Sequence, residues 1–180
     1  KEWYFNRGDI MFFEYDRVAA VEYARKWALS RNPQFKDYEQ WGGNCTNYIS
    51  QCINAGGIPM DSDGNNVMKE WYWYSDNKRT PSWTGAQPFF EYLTSNNTYD
   101  TDNFGIYASQ VSYDELELGD IIQLVDNNKA YHTMIITRII LDGDNIYDYL
   151  ICQNTYDLLD YPLSLKVGER RYLKIFGYYM

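Results

Sequence analysis

Gly42-Gly43-Asn44-Cys45-Thr46-Asn47-Tyr48-Ile49-Ser50-Gln51-Cys52 is the stretch from which the rest of the chain can be read. Two adjacent glycines permit a tight, exposed turn. The polar residues after them lead into a helix, and Cys45 falls where the turn becomes the helix. Tyr48, Ile49, Cys52, Ile53 and Gly56 follow Cys45 at offsets of 3, 4, 7, 8 and 11, one continuous apolar stripe. Such a helix packs on a core and holds its first residue at the edge of that core. Unpaired backbone N–H groups and the positive end of the helix dipole meet there, and both favour a thiolate. Cys45 is therefore the candidate nucleophile. Cys52 lies mid-stripe and reads as a small buried apolar residue.

Upstream, Tyr15 or Asp16 opens an earlier helix in which Val18, Val21, Ala24, Trp27 and Ala28 share one face. Asn32-Pro33 ends it, and residues 1–12 read as an extended aromatic arm. Downstream, Gly56-Gly57 is a C-cap signal. Residues 58–83 look irregular, with Trp71-Tyr72-Trp73-Tyr74 alternating as a short strand or the rim of a groove. Residues 61–66 are too short for an EF-hand loop and lack its final glutamate, so they read as a solvated turn. Thr84 caps a helix through Leu93, and residues 95–110 read as loop. The period then changes. Residues 118–125, 130–140, 146–154 and 171–178 read as strands, with turns at 126–128 and 142–145 and a loop broken by Pro162. Helices first and an antiparallel meander second make an α+β chain with segregated layers, a single domain over residues 1–180.

Composition narrows the function classes. The net charge of −9, from 16 basic and 25 acidic residues, argues against a nucleic-acid partner. It also gives no electrostatic help at an anionic wall or membrane. No apolar run is long enough to insert in a membrane. Three cysteines do not make a disulfide framework. A start at Lys1 fits a domain excised from a longer or processed chain. The N-x-Thr triplets at 44–46 and 96–98 are expected by chance in an Asn-rich chain. Aromatic residues reach 18%, which suits a groove for sugars or peptides as well as a core.

His132 is the one histidine. It cannot build a metal site that needs several imidazoles, and a zinc set would need all three scattered cysteines, so no metal and no cofactor is expected. What it can do is serve a cysteine as base, holding an ionised thiolate–imidazolium pair and then protonating a leaving amine. The base needs an acceptor for its second ring nitrogen. The next strand offers Gln153, Asn154 and Asp157, with Gln153 and Asn154 on opposite faces.

The blocks around Tyr15–Ala24, Asn32-Pro33, Gly43–Cys52, Ala55-Gly56-Gly57, Pro81-Ser82-Trp83, and Gly119-Asp120-Ile121-Ile122 with His132-Thr133 resemble the putative amidase domain family of bacteria. That family is similar to the papain-like cysteine amidohydrolases, alongside CHAP and NlpC-type cell-wall hydrolases. The resemblance implies a papain-like fold with Cys45 as nucleophile and His132 as base. The orienting residue is then Asn154, with Gln153 second. Where the family often shows a His-Thr pair this chain has Asn154-Thr155, and Asn44 stands where an Asp is common. The implied reaction is amide hydrolysis through a thioester on Cys45, with the Cys45 N–H and a side chain such as Gln40 or Asn44 receiving the oxyanion. The implied substrate is a peptidoglycan or peptide amide, with Trp71, Trp73 and Trp83 as groove candidates. The implied setting is a monomer that is secreted or at the cell surface. Two alternatives stay open: a non-catalytic module that binds glycan or peptide, and a protease acting on proteins. A redox role fits less well, because Cys45 and Cys52 are not a C-x-x-C pair.

Overall fold

A computed structural model describes residues 11–62, 66–95 and 105–179. Helix α1 (Arg17–Trp27) begins where the Asp16 carboxylate accepts the Ala19 N–H at 2.9 Å. Its buried face is Ala20, Val21, Ala24 and Ala28. Val18, expected on that face, is exposed. Alanines let α1 lie close to α2 (Cys45–Ala55), where Tyr48 donates to the Ala24 carbonyl at 2.6 Å. At the far end of α2, a Cβ on Gly56 would stand 2.4 Å from the Tyr15 ring, so only glycine fits there.

Helix α2 is more enclosed than one apolar stripe predicts: every residue from Cys45 to Ile53 is buried. Its polar face is matched by hydrogen bonds instead of water. The Thr46 and Thr133 hydroxyls lie 2.9 Å apart, and Gln51 accepts from Tyr23 at 2.8 Å. Ser50 donates to the Trp83 carbonyl at 2.9 Å and accepts the Trp71 indole N–H at 3.0 Å. Asn47 accepts the Trp83 indole N–H at 3.0 Å. Trp71 and Trp83 are fully buried, with centroids 4.5 Å apart, and form the bed on which α2 lies. This corrects their assignment to a substrate groove: a helix polar on one side needs large apolar rings that also carry a donor.

After a small hairpin, β2 (Trp73–Ser75) and β3 (Lys78–Arg79), come α3 (Pro81–Thr84) and α4 (Ala86–Ser95). Thr84 sits inside α3 instead of capping the next helix. Pro81 starts one turn of helix, and the extended Gly85 breaks it before α4.

The sheet contains β1 (Phe12–Glu14), β4 (Gly105–Gln110), β5 (Ile121–Asp126), β6 (Lys129–Asp142), β7 (Asn145–Gln153), β8 (Leu158–Pro162) and β9 (Glu169–Tyr179). All neighbours are antiparallel, in the order β1-β9-β5-β6-β7-β8, with β4 also on β9. Residues 105–110 are thus a strand where loop was expected. Ile106 and Ala108 alternate into the core, a pattern too short to see behind an Asn/Asp-rich run. Pro162 ends the edge strand β8, where a missing N–H costs no ladder bond.

Both faces of the sheet are buried. Ile121, Ile135, Cys152, Leu173 and Ile175 join the helices on one side. Ile122, Leu124, Met134, Ile136, Tyr149, Ile151 and Leu163 form a second cluster. The alternating membership follows the strand period. Residues 1–10 of the expected arm, 63–65 of the expected turn, and the 96–98 triplet with the rest of 96–104 lie outside the described residues.

Candidate active site

Cys45 is the first residue of α2, and two strands hold that end. From β6 comes the Thr46–Thr133 contact, and the Thr46 hydroxyl also lies 3.7 Å from the Cys45 sulfur. From the turn after β7, the Thr155 hydroxyl accepts the Asn44 N–H at 2.7 Å. Gly42 and Gly43 turn the chain into this position with φ of 104° and 109°, a region that favours glycine. Arg31 braces the same corner, bonding Asp157 at 2.9 and 3.0 Å and Glu39 at 3.0 Å. Thr155 in turn donates to Glu39 at 3.0 Å.

His132 reaches this corner through an irregularity in β6. Leu124 pairs with His132 and Val125 with Ala130, so Tyr131 is an extra residue. A bulge of this kind re-aims the side chain beside it. The imidazole is 7% exposed, and its Nε2 is buried with no aligned partner. Gln153 Oε1 is buried in the same condition. The Gln153 amide nitrogen is anchored on the carbonyls of Thr155 at 2.9 Å and Tyr156 at 2.8 Å. Both of those residues hold left-handed φ, 63° and 56°, a conformation that costs energy outside glycine. That turn leaves the amide oxygen as the free end of Gln153. Burial lowers the imidazole pKa, hydrogen bonding by Gln153 raises it, Lys166 lowers it and Glu39 raises it.

The structure does not bring Asn154 to His132. β7 ends at Gln153, and Asn154 lies in the following turn with its side chain committed elsewhere. Its oxygen accepts from Asn44 Nδ2 at 2.9 Å, and its nitrogen donates to the carbonyls of Ala28 at 3.0 Å and Trp27 at 3.2 Å. The Asn44 oxygen is committed as well: it accepts from the Tyr38 N–H at 3.1 Å and from Asn47 at 2.8 Å. Asn154 spends both amide donors on backbone carbonyls, whereas Asn44 Nδ2 spends one of its two N–H groups on Asn154. Gln40 is exposed on the turn Glu39–Trp41 just before the nucleophile. Trp73 is half-buried, with its indole N–H on Tyr38 at 2.8 Å.

Burial opposes an ionised resting pair from both sides. It pushes the Cys45 thiol up, and the Thr46 hydroxyl and nearby N–H groups offset this only in part. With His132 pushed down as well, burial favours a neutral pair over the thiolate–imidazolium pair expected from the helix start alone. Among the described residues no three His, Cys, Asp or Glu side chains converge as a metal set, and no helix is long and apolar enough to cross a membrane. The supporting roles of Thr133, Thr155 and Arg31 carry no local signal, since each acts on an element remote in sequence.

The family described as a putative amidase domain matches residues 14–176. The chain belongs to that family. Amidase-domain membership places it among hydrolases of amides. It is similar to two Bacillus subtilis (strain 168) proteins described as uncharacterized. YhbB is 35% identical over 148 residues, 81% of this chain and 43% of YhbB. YjcM is 30% identical over 169 residues, 88% of this chain and 36% of YjcM. The chain thus spans less than half the length of either relative. No solved structure matches it.

Proposed function

We propose that this amidase domain hydrolyses amides through Cys45, with His132 as base and acid and Gln153, in place of Asn154, as the orienting residue. The observation that carries the reading is the pair of unmatched buried atoms, His132 Nε2 and Gln153 Oε1, beside the corner where α2 presents its cysteine. The Nε2–H donates to the glutamine oxygen, which leaves Nδ1 for the thiol. As substrate enters, Nδ1 takes the thiol proton and the sulfur attacks the carbonyl carbon. The Cys45 N–H, unpaired at the helix start, donates to the oxyanion, with Gln40 as the candidate second donor. Collapse breaks the C–N bond, and the amine leaves with the proton from His132. Water then attacks the thioester, His132 takes its proton, and the acid leaves as the thiol is restored.

A cysteine-first helix against an antiparallel sheet that carries the histidine supports a papain-like arrangement. The family resemblance supports a peptidoglycan amide as substrate and a secreted or cell-surface setting, and the domain acts as a monomer in this reading. Soluble muropeptides incubated with the protein should yield a new amine and a new acid by mass spectrometry. Acid quenching should trap the acyl group on Cys45, and Cys45→Ala and His132→Ala should abolish both products. Turnover that survives Cys45→Ala overturns the mechanism. The raised thiol pKa favours one second reading, a shell that binds without cutting. Binding of muropeptides without hydrolysis by the wild type would establish it.

A further inference from the structure

Lys166 stands out among the cations near this corner. Its backbone is braced: its N–H donates to the Leu163 carbonyl at 2.9 Å, and its carbonyl accepts from Arg170. The side chain that leaves this turn is half-buried, yet its ammonium has no hydrogen bond, ion pair or ring contact among the described residues. The other half-buried or buried cations among the described residues are matched. Arg17, Arg25, Arg31, Lys36, Arg79 and Lys174 meet carboxylates, while Arg170 and Arg171 meet carbonyls. In a chain of net charge −9, an unpaired and partly desolvated ammonium is costly and has no lack of internal anions to choose from. Burial correspondingly lowers its pKa.

The position of Lys166 is equally specific. Two residues on, a Cβ at Gly168 would lie 3.3 Å from the Tyr131 hydroxyl and 3.6 Å from Leu124. Tyr131 is the bulge residue before His132, and Leu124 is the cross-strand partner of His132. The Lys166 charge is among the causes that lower the imidazole pKa, after burial. Tyr131 and Val167, the neighbours of Gly168 in space and in the chain, are exposed. The turn that carries this unmatched cation therefore lies against the residue before the proposed base.

We propose that Lys166 binds a carboxylate of the substrate, so that the site takes amides carrying a free carboxylate close to the scissile bond. This rests on the hydrolase reading above. The carboxylate can be an acidic side chain or a chain terminus, and both make the same charge-assisted contact.

The test uses the full chain with Cys45→Ala, so that binding is read without turnover. Three N-acetyl dipeptides are titrated by 1H–15N NMR: Ala-Glu amide, Ala-Gln acid and Ala-Gln amide. At least one carboxylate-bearing probe should bind about tenfold tighter than the neutral amide. Resonances of Tyr131, His132 and Gly168 should shift. The gap should vanish in Lys166→Gln and persist in Lys166→Arg, with thermal melts confirming that both variants are folded. Which probe shows the gap separates a side-chain from a terminal carboxylate. No gap between the probes, no binding up to about 10 mM, or a gap that survives Lys166→Gln overturns the proposal. A carboxylate gap with no hydrolysis by the wild type would leave this subsite standing and refute the mechanism instead.

Discussion

The buried polar cluster around Asp120 and the one around His132 are completed to different degrees. At the start of β5, Asp120 is fully buried and closed on every side. Arg17 reaches it at 2.7 Å, the Glu117 N–H at 2.8 Å and the Ile175 N–H at 3.0 Å. Arg17 also donates to the Leu118 carbonyl at 2.7 Å, and Tyr15 to the Gly119 carbonyl at 3.2 Å. Burial pushes the Asp120 carboxyl up, and Arg17 pulls it down. At the other cluster, where α2 begins, His132 Nε2 and Gln153 Oε1 lack aligned partners. The first cluster is a clasp that spends its whole hydrogen-bonding capacity on the folded chain. The second is less closed: with Nε2 on the Gln153 oxygen as proposed, Nδ1 stays available to the thiol, and such a group is what a reacting molecule can use.

The largest expected effect tests that division directly. Cys45→Ala should lower amide hydrolysis by about 10⁴-fold or more and leave the denaturation midpoint near wild type. Arg17→Ala should do the reverse. Stranding the Asp120 carboxylate should cost about 3 kcal/mol in chemical denaturation, with turnover per folded molecule retained. A folded Arg17→Ala protein without activity would break the comparison.

Gln153 and Asn154 give the next contrast. Gln153→Ala should lower kcat by about 10²-fold, and because it strands the Thr155 and Tyr156 carbonyls it should also cost about 1–3 kcal/mol. Asn154→Ala leaves Asn44 Nδ2 without its acceptor, so it should cost about 1–3 kcal/mol and change kcat much less. Opposite outcomes for the two variants would return the orienting role to Asn154.

The smallest effect is the pH dependence of His132. Its folded pKa is lowered by burial below the ordinary value of about 6.5. The unfolded chain therefore binds more protons in that window. This contribution to stability is present above about pH 6.5 and is lost as pH falls through the folded pKa. Urea midpoints across this range should fall less steeply in His132→Gln than in wild type. The difference isolates the histidine from Asp120, whose raised pKa acts with the opposite sign. The acid limb of kcat/KM should also lie below about pH 6.5, and a limb above it would mean that the neutral pair is wrong.

Much of the frame was legible locally. The glycine pair, the helical offsets after Cys45, and the β-branched runs over β5, β6 and β7 each announce their element within one stretch. The lone histidine and the helix-first cysteine could be paired on chemistry alone. Strand β4 was hidden because only two core residues mark it. Trp71 and Trp83 read equally as groove or bed, since burial depends on what α2 brings against them.

The sequence by itself determined that a cysteine opens a helix, that one histidine follows on a strand, and that helices precede an antiparallel meander. Those properties depend on spacing along a few turns or a few strand residues. Only the tertiary structure decided which amide lies against the histidine, which tryptophans are buried and which cation is left unmatched among the described residues. The side chain facing His132 is set by a bulge at Tyr131 and by a left-handed turn at Thr155 and Tyr156. Both are fixed by pairing between strands far apart in the chain. Local periodicity carries no record of such partners, because a hydrogen bond is satisfied by whatever the whole fold brings within reach.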